Sequence, residues 1–526
     1  MKQAVGQRMD EVEQDDPAKV GMWEPIQYRF NYLPIHLALL HTGKVLAFGG
    51  SGNDEDHLKT PHPSEIWDPH TGETRIIDQE LAGDIFCVGH AFLPDGRLLV
   101  AGGTYKYDRK LFNRLAFPPF RGLNQAYLFD PSTETWERVE DMRNGRWYPT
   151  LITLGDGRVL AMAGLTQHFP WAFLREIEIY SSDIGWRKLE GADRWLPLYP
   201  RLHLLPDGDV FYSGSYNTHY TFPYTIKSFP TATLNVATGK WTIISLPHQC
   251  QREEGAAILL PLVPPEYRAK VLLIGGGTPG GIQAVSDVEI IDLSESNPRW
   301  RSTQPMQHSR YYVYAVILPD RQVFVIGGRK GHHSHHPSRN LGREGKQGHA
   351  NGSGDHEVPR DPRAIHETEL FNPDTEKWTR MAPMSLDRLY HSNALLLPDG
   401  RVMVAGSNPE RRINELHIEI YHPPYLCRGP RPQIEEAPSE VSYGQEFEIE
   451  TSEANDIEAV ALIRPSATTH CLNTEERYVG LVFSQRGSGK IIAKIPDNRN
   501  LAPPGYYMLF IVRDGIPSVA RFVHVD

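Results

Sequence analysis

FLPDGRLLVAGG (92–103) decides the fold. Two short aliphatic runs flank a Pro-Asp-Gly turn, and the second run ends on Gly-Gly. This is the pattern of a strand, a tight turn and a returning strand. The phrase recurs as TLGDGRVLAMAG (153–164), LLPDGDVFYSG (204–214), ILPDRQVFVIGG (317–328) and LLPDGRVMVAG (396–406). Looser copies are LLHTGKVLAFGG (39–50) and LLPLVPPEYRAKVLLIGGG (259–277). After each Gly-Gly comes a third apolar run ending in a turn, as in SEIWDPHTGE (64–73), AYLFDPSTETW (126–136) and TELFNPDTEKW (368–378). A Trp-containing segment then supplies a fourth strand. Seven units of four strands predict an all-β, seven-bladed β-propeller of kelch type over residues 23–427. The seventh unit, HIEIYHPPYL (417–426), lacks its own fourth strand, and WEPIQYRF (23–30) has the character to supply it.

Outside the repeats, residues 1–22 form an N-terminal extension. Residues 329–361, rich in Gly and His and nearly free of apolar side chains, read as a long polar loop insertion. From 428 to 526 the repeat stops, and short strands such as PSEVSYGQEFEIETS (438–452) and PGYYMLFIVRDG (504–515) predict an immunoglobulin-like β-sandwich.

Composition agrees. The 45 Gly and 42 Pro, with no collagen period, are the mark of many turns. A net charge of −11 excludes a general nucleic-acid or anionic-membrane binder, and no apolar run reaches the length of a membrane span. Four cysteines are too few for a disulfide scaffold. The first twenty residues contain no apolar segment of the secretory kind, so the compartment stays open.

The turn Asp serves as a ruler. Eight positions before it, the units carry Pro34, Cys87, Tyr148, Tyr199, Glu254, Tyr312 and His391; one step earlier they carry Leu33, Phe86, Trp147, Leu198, Glu253, Tyr311 and Tyr390. Equal offsets mean equal height on a central channel. Scaffold positions should be interchangeable small or apolar residues, whereas Cys, Tyr and His bind metals and carry redox chemistry. Cys87 and Tyr148 fall in adjacent units, within reach of one another. The competing reading makes each an inert buried thiol or a channel-wall aromatic.

DIFCVGHAFLPDGRLLVAGG, MRNGRWYPTLITLGDGRVLAMAG, LDRLYHSNALLLPDGRVMVAGSNP and PSATTHCLNTEERYVGL resemble the radical-copper oxidases, the galactose oxidase and glyoxal oxidase family, and the glyoxal oxidase branch more closely. The resemblance implies a copper cofactor, one ion per chain, held by Tyr148, Tyr390, His391 and His470. It implies a Cys87–Tyr148 thioether whose tyrosine carries a radical, with Tyr390 as general base. It implies oxidation of a small aldehyde, as its hydrate, or of a primary alcohol by O2, releasing hydrogen peroxide. His470 would reach the copper on a loop of the C-terminal sandwich. The family is usually extracellular. Its stacking tryptophan is missing: that position is Thr166, leaving His168 or Trp171 to cover the cross-linked pair. The alternative function is a non-catalytic kelch propeller that binds a protein or carbohydrate.

Secondary candidates are Arg201 and Arg310, either as substrate contacts or as a solvated channel rim. Six histidines of the polar loop, His332, His333, His335, His336, His349 and His356, are candidates for copper capture. Cys250, Cys427 and Cys471 have no assigned role, with Cys471 expected to point away from the metal. Asn351-Gly-Ser is a glycosylation sequon only in a secreted eukaryotic chain. The oligomeric state is not encoded in any of these features.

Overall fold

The computed structural model describes residues 16–108, 120–168, 172–217, 229–248, 252–278, 283–331, 360–408, 413–487 and 489–526. The six loop histidines, Asn351, Trp171 and Cys250 lie outside them.

Among the described residues the repeat region folds into seven antiparallel sheets, each holding at least four strands. Each repeated phrase is the first hairpin of its sheet. FLPDGRLLVAGG, for example, joins Asp84–Phe92 to Leu98–Tyr107, with His90 opposite Val100 and Phe92 opposite Leu98. The turn glycine takes the left-handed conformation, φ +84° at both Gly96 and Gly157. Where the sixth unit replaces it by Arg321, that residue is held at φ 71°, at a cost of roughly 1–2 kcal/mol.

The innermost strands touch around a ring. Thr150–Thr153 meets both Asp84–Phe92 and Leu198–Leu204, Tyr314–Ile317 meets both Ala256–Leu259 and Asn393–Leu396, and Asn393–Leu396 meets His36–Leu39. Between the first and second sheets lies a strand of the C-terminal region, Ala467–Thr469, which contacts both. The fourth and fifth sheets are joined by Arg201, whose guanidinium donates to the carbonyls of Arg252 (3.0 Å) and Gly255 (2.6 Å). At the outer edges, indoles donate to the preceding sheet or the loop before it: Trp136 to Ser64, Trp300 to Thr231 and Trp378 to Gln304. The N-terminal segment completes the seventh sheet as the sequence predicts. Met22–Trp23 and Tyr28–Arg29 both pair with His417–His422, and the Trp23 indole donates to Ala382 of the neighbouring unit.

Beyond residue 430 the strands form a separate pair of sheets. One contains Glu440–Val441, Arg521–Val525, Gly505–Arg513, Ala459–Ile463 and Tyr478–Gly480; the other contains Glu446–Glu450, Lys490–Lys494 and Val482–Gln485. Their inner faces share an apolar core that includes Phe447, Ile491, Tyr507 and Val523. A hairpin leaves this region and adds to the first sheet of the ring, with His36 opposite Thr469 and Ala38 opposite Ala467. Its base is held by Arg464 and Glu475, both buried and ion-paired. No described helix is long and apolar enough to cross a membrane.

Candidate metal centre

The ruler positions share a backbone state that their spacing did not reveal. Cys87, Tyr148, Tyr199, Glu254, Tyr312 and His391 all have positive φ, between 47° and 65°. A non-glycine residue held there costs roughly 1–3 kcal/mol and persists only where its surroundings impose it. Here neighbouring units impose it on each other. The Tyr148 N–H donates to the Cys87 carbonyl (3.1 Å), Tyr199 to Tyr148 (3.0 Å) and Tyr312 to Glu254 (3.0 Å). Pro34, the seventh member of the set, is excluded by its ring-locked φ.

His470 enters from the hairpin, at its tip. His470 and Cys471 are both left-handed, φ 46° and 62°, which makes the two-residue turn between Ala467–Thr469 and Leu472–Asn473. The Thr469 hydroxyl lies 2.6 Å from His470 Nδ1 and 3.2 Å from the Ile35 carbonyl. This contact on Nδ1 orients the ring so that Nε2 faces the cluster.

The sequence-predicted residues come together at one buried point. Tyr148 Oη lies 2.6 Å from Tyr390 Oη and 3.0 Å from His470 Nε2. Cys87 Sγ is 3.9 Å from the same Nε2. The donor atoms of Cys87, His391 and His470 lie within 4.8 Å of one another. The His391 and His470 rings meet edge-on at 4.6 Å, and Tyr390 stacks on His391 at 3.7 Å. Cys87, Tyr148, His391 and His470 are buried, while Tyr390 is partly exposed.

The electrostatics are those of a dry pocket. Burial pushes the Tyr148 phenol well above its ordinary pKa, with Cys87 and Tyr390 adding to the effect. Burial also holds His470 well below the imidazole range and raises the Cys87 thiol. An uncharged His470 is the state that ligates metal. Two imidazoles and two phenol oxygens converging without solvent match the nitrogen and oxygen donors that tetragonal copper takes, so the residues present fit that ion.

The cover over Tyr148 is the residue next to it in the chain. The Trp147 ring lies 3.8 Å from the Tyr148 ring and within 5° of parallel; Phe120 stacks on Trp147 at 4.2 Å and 8°. Tyr199 stacks on Tyr148 at 4.3 Å. Neither residue proposed for this task is the one observed: His168 is exposed and offers its carbonyl to Arg121, and Trp171 lies outside the described residues. Thr166 takes part through its backbone, accepting from Gly122 and donating to Ala172.

The two arginines are also corrected. Arg310 is fully buried and paired with Glu369 at 2.8 Å, one of a set with Arg146–Glu178, Arg252–Glu289 and Arg388–Glu419. It fastens the loop ahead of each inner strand to the third strand of the same sheet. Arg201 links two sheets. Both are buried, so neither forms a solvated rim. The signal was in the sequence: an Arg two or three residues before four ruler positions, and a lone Glu in the third strand of the same four units. Cys471 is buried against Tyr314, apart from the donor cluster, and Cys427 is half-buried.

The family model described as "Glyoxal oxidase N-terminus" matches residues 60–425, and "Galactose oxidase-like, Early set domain" matches 431–525. The chain is 27% identical over 498 residues to the aldehyde oxidase GLOX of Vitis pseudoreticulata, covering 88% of this chain and 85% of that protein. It is 26% identical over 494 residues to a galactose oxidase of Gibberella zeae, covering 87% of this chain and 63% of that protein. Among solved structures, a fungal alcohol oxidase in complex with copper superposes with a TM-score of 0.78 at 22% identity, over 96% of this chain and 100% of that one.

Proposed function

The chain belongs to the glyoxal oxidase family, and from that premise we propose that it is a copper-radical oxidase of small aldehydes or primary alcohols. The carrying observation is the buried convergence of Tyr148, Tyr390, His391, His470 and Cys87. We read the seven sheets as the blades of one propeller (23–427) and residues 428–526 as the sandwich that contributes His470.

In this reading Tyr148, Tyr390, His391 and His470 hold the copper. Copper supplies a one-electron couple and a Lewis acid for the substrate oxygen. Removal of two electrons needs a second one-electron store, which is Tyr148 once bonded through its ring carbon to Cys87 Sγ. Forming that bond breaks one S–H and one ring C–H, and O2 accepts the two electrons and two protons as hydrogen peroxide. Tyr390, partly exposed, takes the substrate's hydroxyl proton as general base. The Tyr148 radical takes the hydrogen from carbon. The rings of Trp147 and Tyr199 on either face keep water from the radical. A hydrated aldehyde is a geminal diol and meets these needs as an alcohol does; the likeness to the Vitis aldehyde oxidase favours it over a sugar. A non-catalytic binding module offers no reason for five such side chains to converge out of solvent.

The test is intact mass and copper content after maturation with Cu(II) in air, followed by peroxide release. The expectation is one copper at this centre, a mass about 2 Da below the sequence value, and peroxide with glyoxal or methylglyoxal in preference to galactose. Copper-loaded, cross-linked protein that yields no peroxide with aldehydes, primary alcohols or sugars refutes the oxidase reading and favours the binding module.

A further inference from the structure

Beside the donor cluster lies a second pair of histidines that the proposed reaction does not use. His36 is on the innermost strand of the first sheet and His90 on that of the second. Their rings are 5.3 Å apart and nearly perpendicular, at 84°. Both residues are buried, with 0% and 1% of their surface exposed. Phe48 walls the pair, stacked on His36 at 4.8 Å and edge-on to His90 at 5.8 Å. The His470 ring is 6.1 Å from His36. None of the four ring nitrogens has a hydrogen-bond partner among the described residues; His90 lies against the Thr468 backbone without hydrogen-bond geometry.

An imidazole whose donor and acceptor both go unmet out of water is costly, and native proteins give such groups a partner. Two features identify the partner here. First, the walls are aromatic and dry, and the donors are neutral nitrogen. Second, the pair gathers no third ligand: among the described residues the one group of three or more metal-binding His, Cys, Asp or Glu side chains is Cys87, His391 and His470. A two-donor position serves neither tetrahedral zinc nor tetragonal Cu(II), which ask for four. It serves monovalent copper, which is satisfied by two donors, imidazole being among the ligands copper takes.

We propose that His36 and His90 form a second copper site, specific for Cu(I), distinct from the cluster that contains Tyr148. It does not depend on the oxidase reading. His36 faces Thr469 across the hairpin, so an ion held there sits one residue from the His470 ligand.

The test is an anaerobic titration of the metal-free full-length chain with Cu(I), in competition with a chromogenic Cu(I) chelator. The unaltered protein should take up two equivalents. His36→Gln/His90→Gln should take up one, and Cys87→Ala/His391→Ala, which removes the sulfur and one imidazole from the other cluster, should take up one that gives the X-ray absorption edge of two-coordinate Cu(I). Should the His36→Gln/His90→Gln variant fail to fold, as judged by circular dichroism, His36→Gln alone and the absorption edge of Cys87→Ala/His391→Ala decide. A single equivalent that survives loss of His36 and His90 overturns the proposal and leaves the pair to a buried water. Two equivalents that both survive overturn it as well. Loss of only the equivalent that needs His36 and His90 supports it, and absence of the other equivalent counts against the catalytic copper site alone.

Discussion

Replacing Arg464 with methionine removes the strut that holds the His470 hairpin. Arg464 is buried, and its Nε donates to Glu475. Its Nη1 donates to the carbonyls of Pro503 (3.0 Å) and Pro504 (3.1 Å), and Nη2 reaches the Phe92 carbonyl at 3.4 Å. Methionine fills most of the volume but strands the Glu475 carboxylate, which keeps only the Phe92 N–H (3.2 Å) and the Thr153 hydroxyl (2.9 Å). Breaking one side of a buried ion pair costs about 3–5 kcal/mol. Adding Glu475→Gln removes the stranded charge, and about half of that loss should return. Urea denaturation of the wild type, Arg464→Met and the double variant measures these terms. Copper affinity should fall about 10–100-fold in Arg464→Met, the usual effect of losing support behind a ligand. Arg464→Met within about 1 kcal/mol of wild type, a figure below the range for a broken buried pair, would refute the strut. So would a double variant no more stable than the single one.

Cys87→Ala should retain the full sequence mass after copper maturation in air, apart from the substitution itself, and should lose the radical's visible absorption. Tyr390→Phe should keep the thioether mass but slow turnover by about 10²–10⁴-fold, the usual worth of a general base. Trp147→Phe should be less stable than wild type and Trp147→Leu less stable again, because each lost stacking pair costs about 0.5–1.5 kcal/mol beyond burial. The potential of the Tyr148 radical, read by redox titration, should shift in the same order. Asp84, buried while accepting from the Ser51 and Phe86 amides, has its pKa pushed up to about 7 by burial. The native state therefore binds this proton more tightly than the unfolded chain, and the stability it contributes at low pH is lost as pH rises from about 4 to about 7. Asp84→Asn should flatten that loss in denaturation measured from pH 4 to 8.

The repeat phrase made the seven sheets legible because a Pro-Asp-Gly hairpin is a local device: its turn residues and its flanking aliphatics lie within a dozen positions. The ruler found Cys87, Tyr148 and His391 for the same reason, since equal spacing along equal strands means equal height. It measured spacing and not direction. Nothing in WYP (147–149) announces that Tyr148 is left-handed, or that consecutive rings then lie face to face, so with Thr166 at the tryptophan's position the cover is expected at His168 or Trp171. The arginines misled for a related reason. A charged residue near a channel reads as solvent-facing, and only the pairing of Arg310 with Glu369, far along the chain, removes it from water. His36 and His90 passed unnoticed because each sits in an unremarkable strand and their proximity arises between sheets.

The fold also fixes a calendar for the chain as the ribosome delivers it. Cys87 and Tyr148 belong to the second and third sheets, whose strands are all encoded by residue 188. The first sheet must wait for Ala467–Thr469 to line its inner edge, and Met22–Trp23 must wait for His417–His422. His470 is translated after every other member of the cluster. On the proposed function, oxidative joining of Cys87 to Tyr148 waits for the hairpin that carries His470, because the ligand set is incomplete without it.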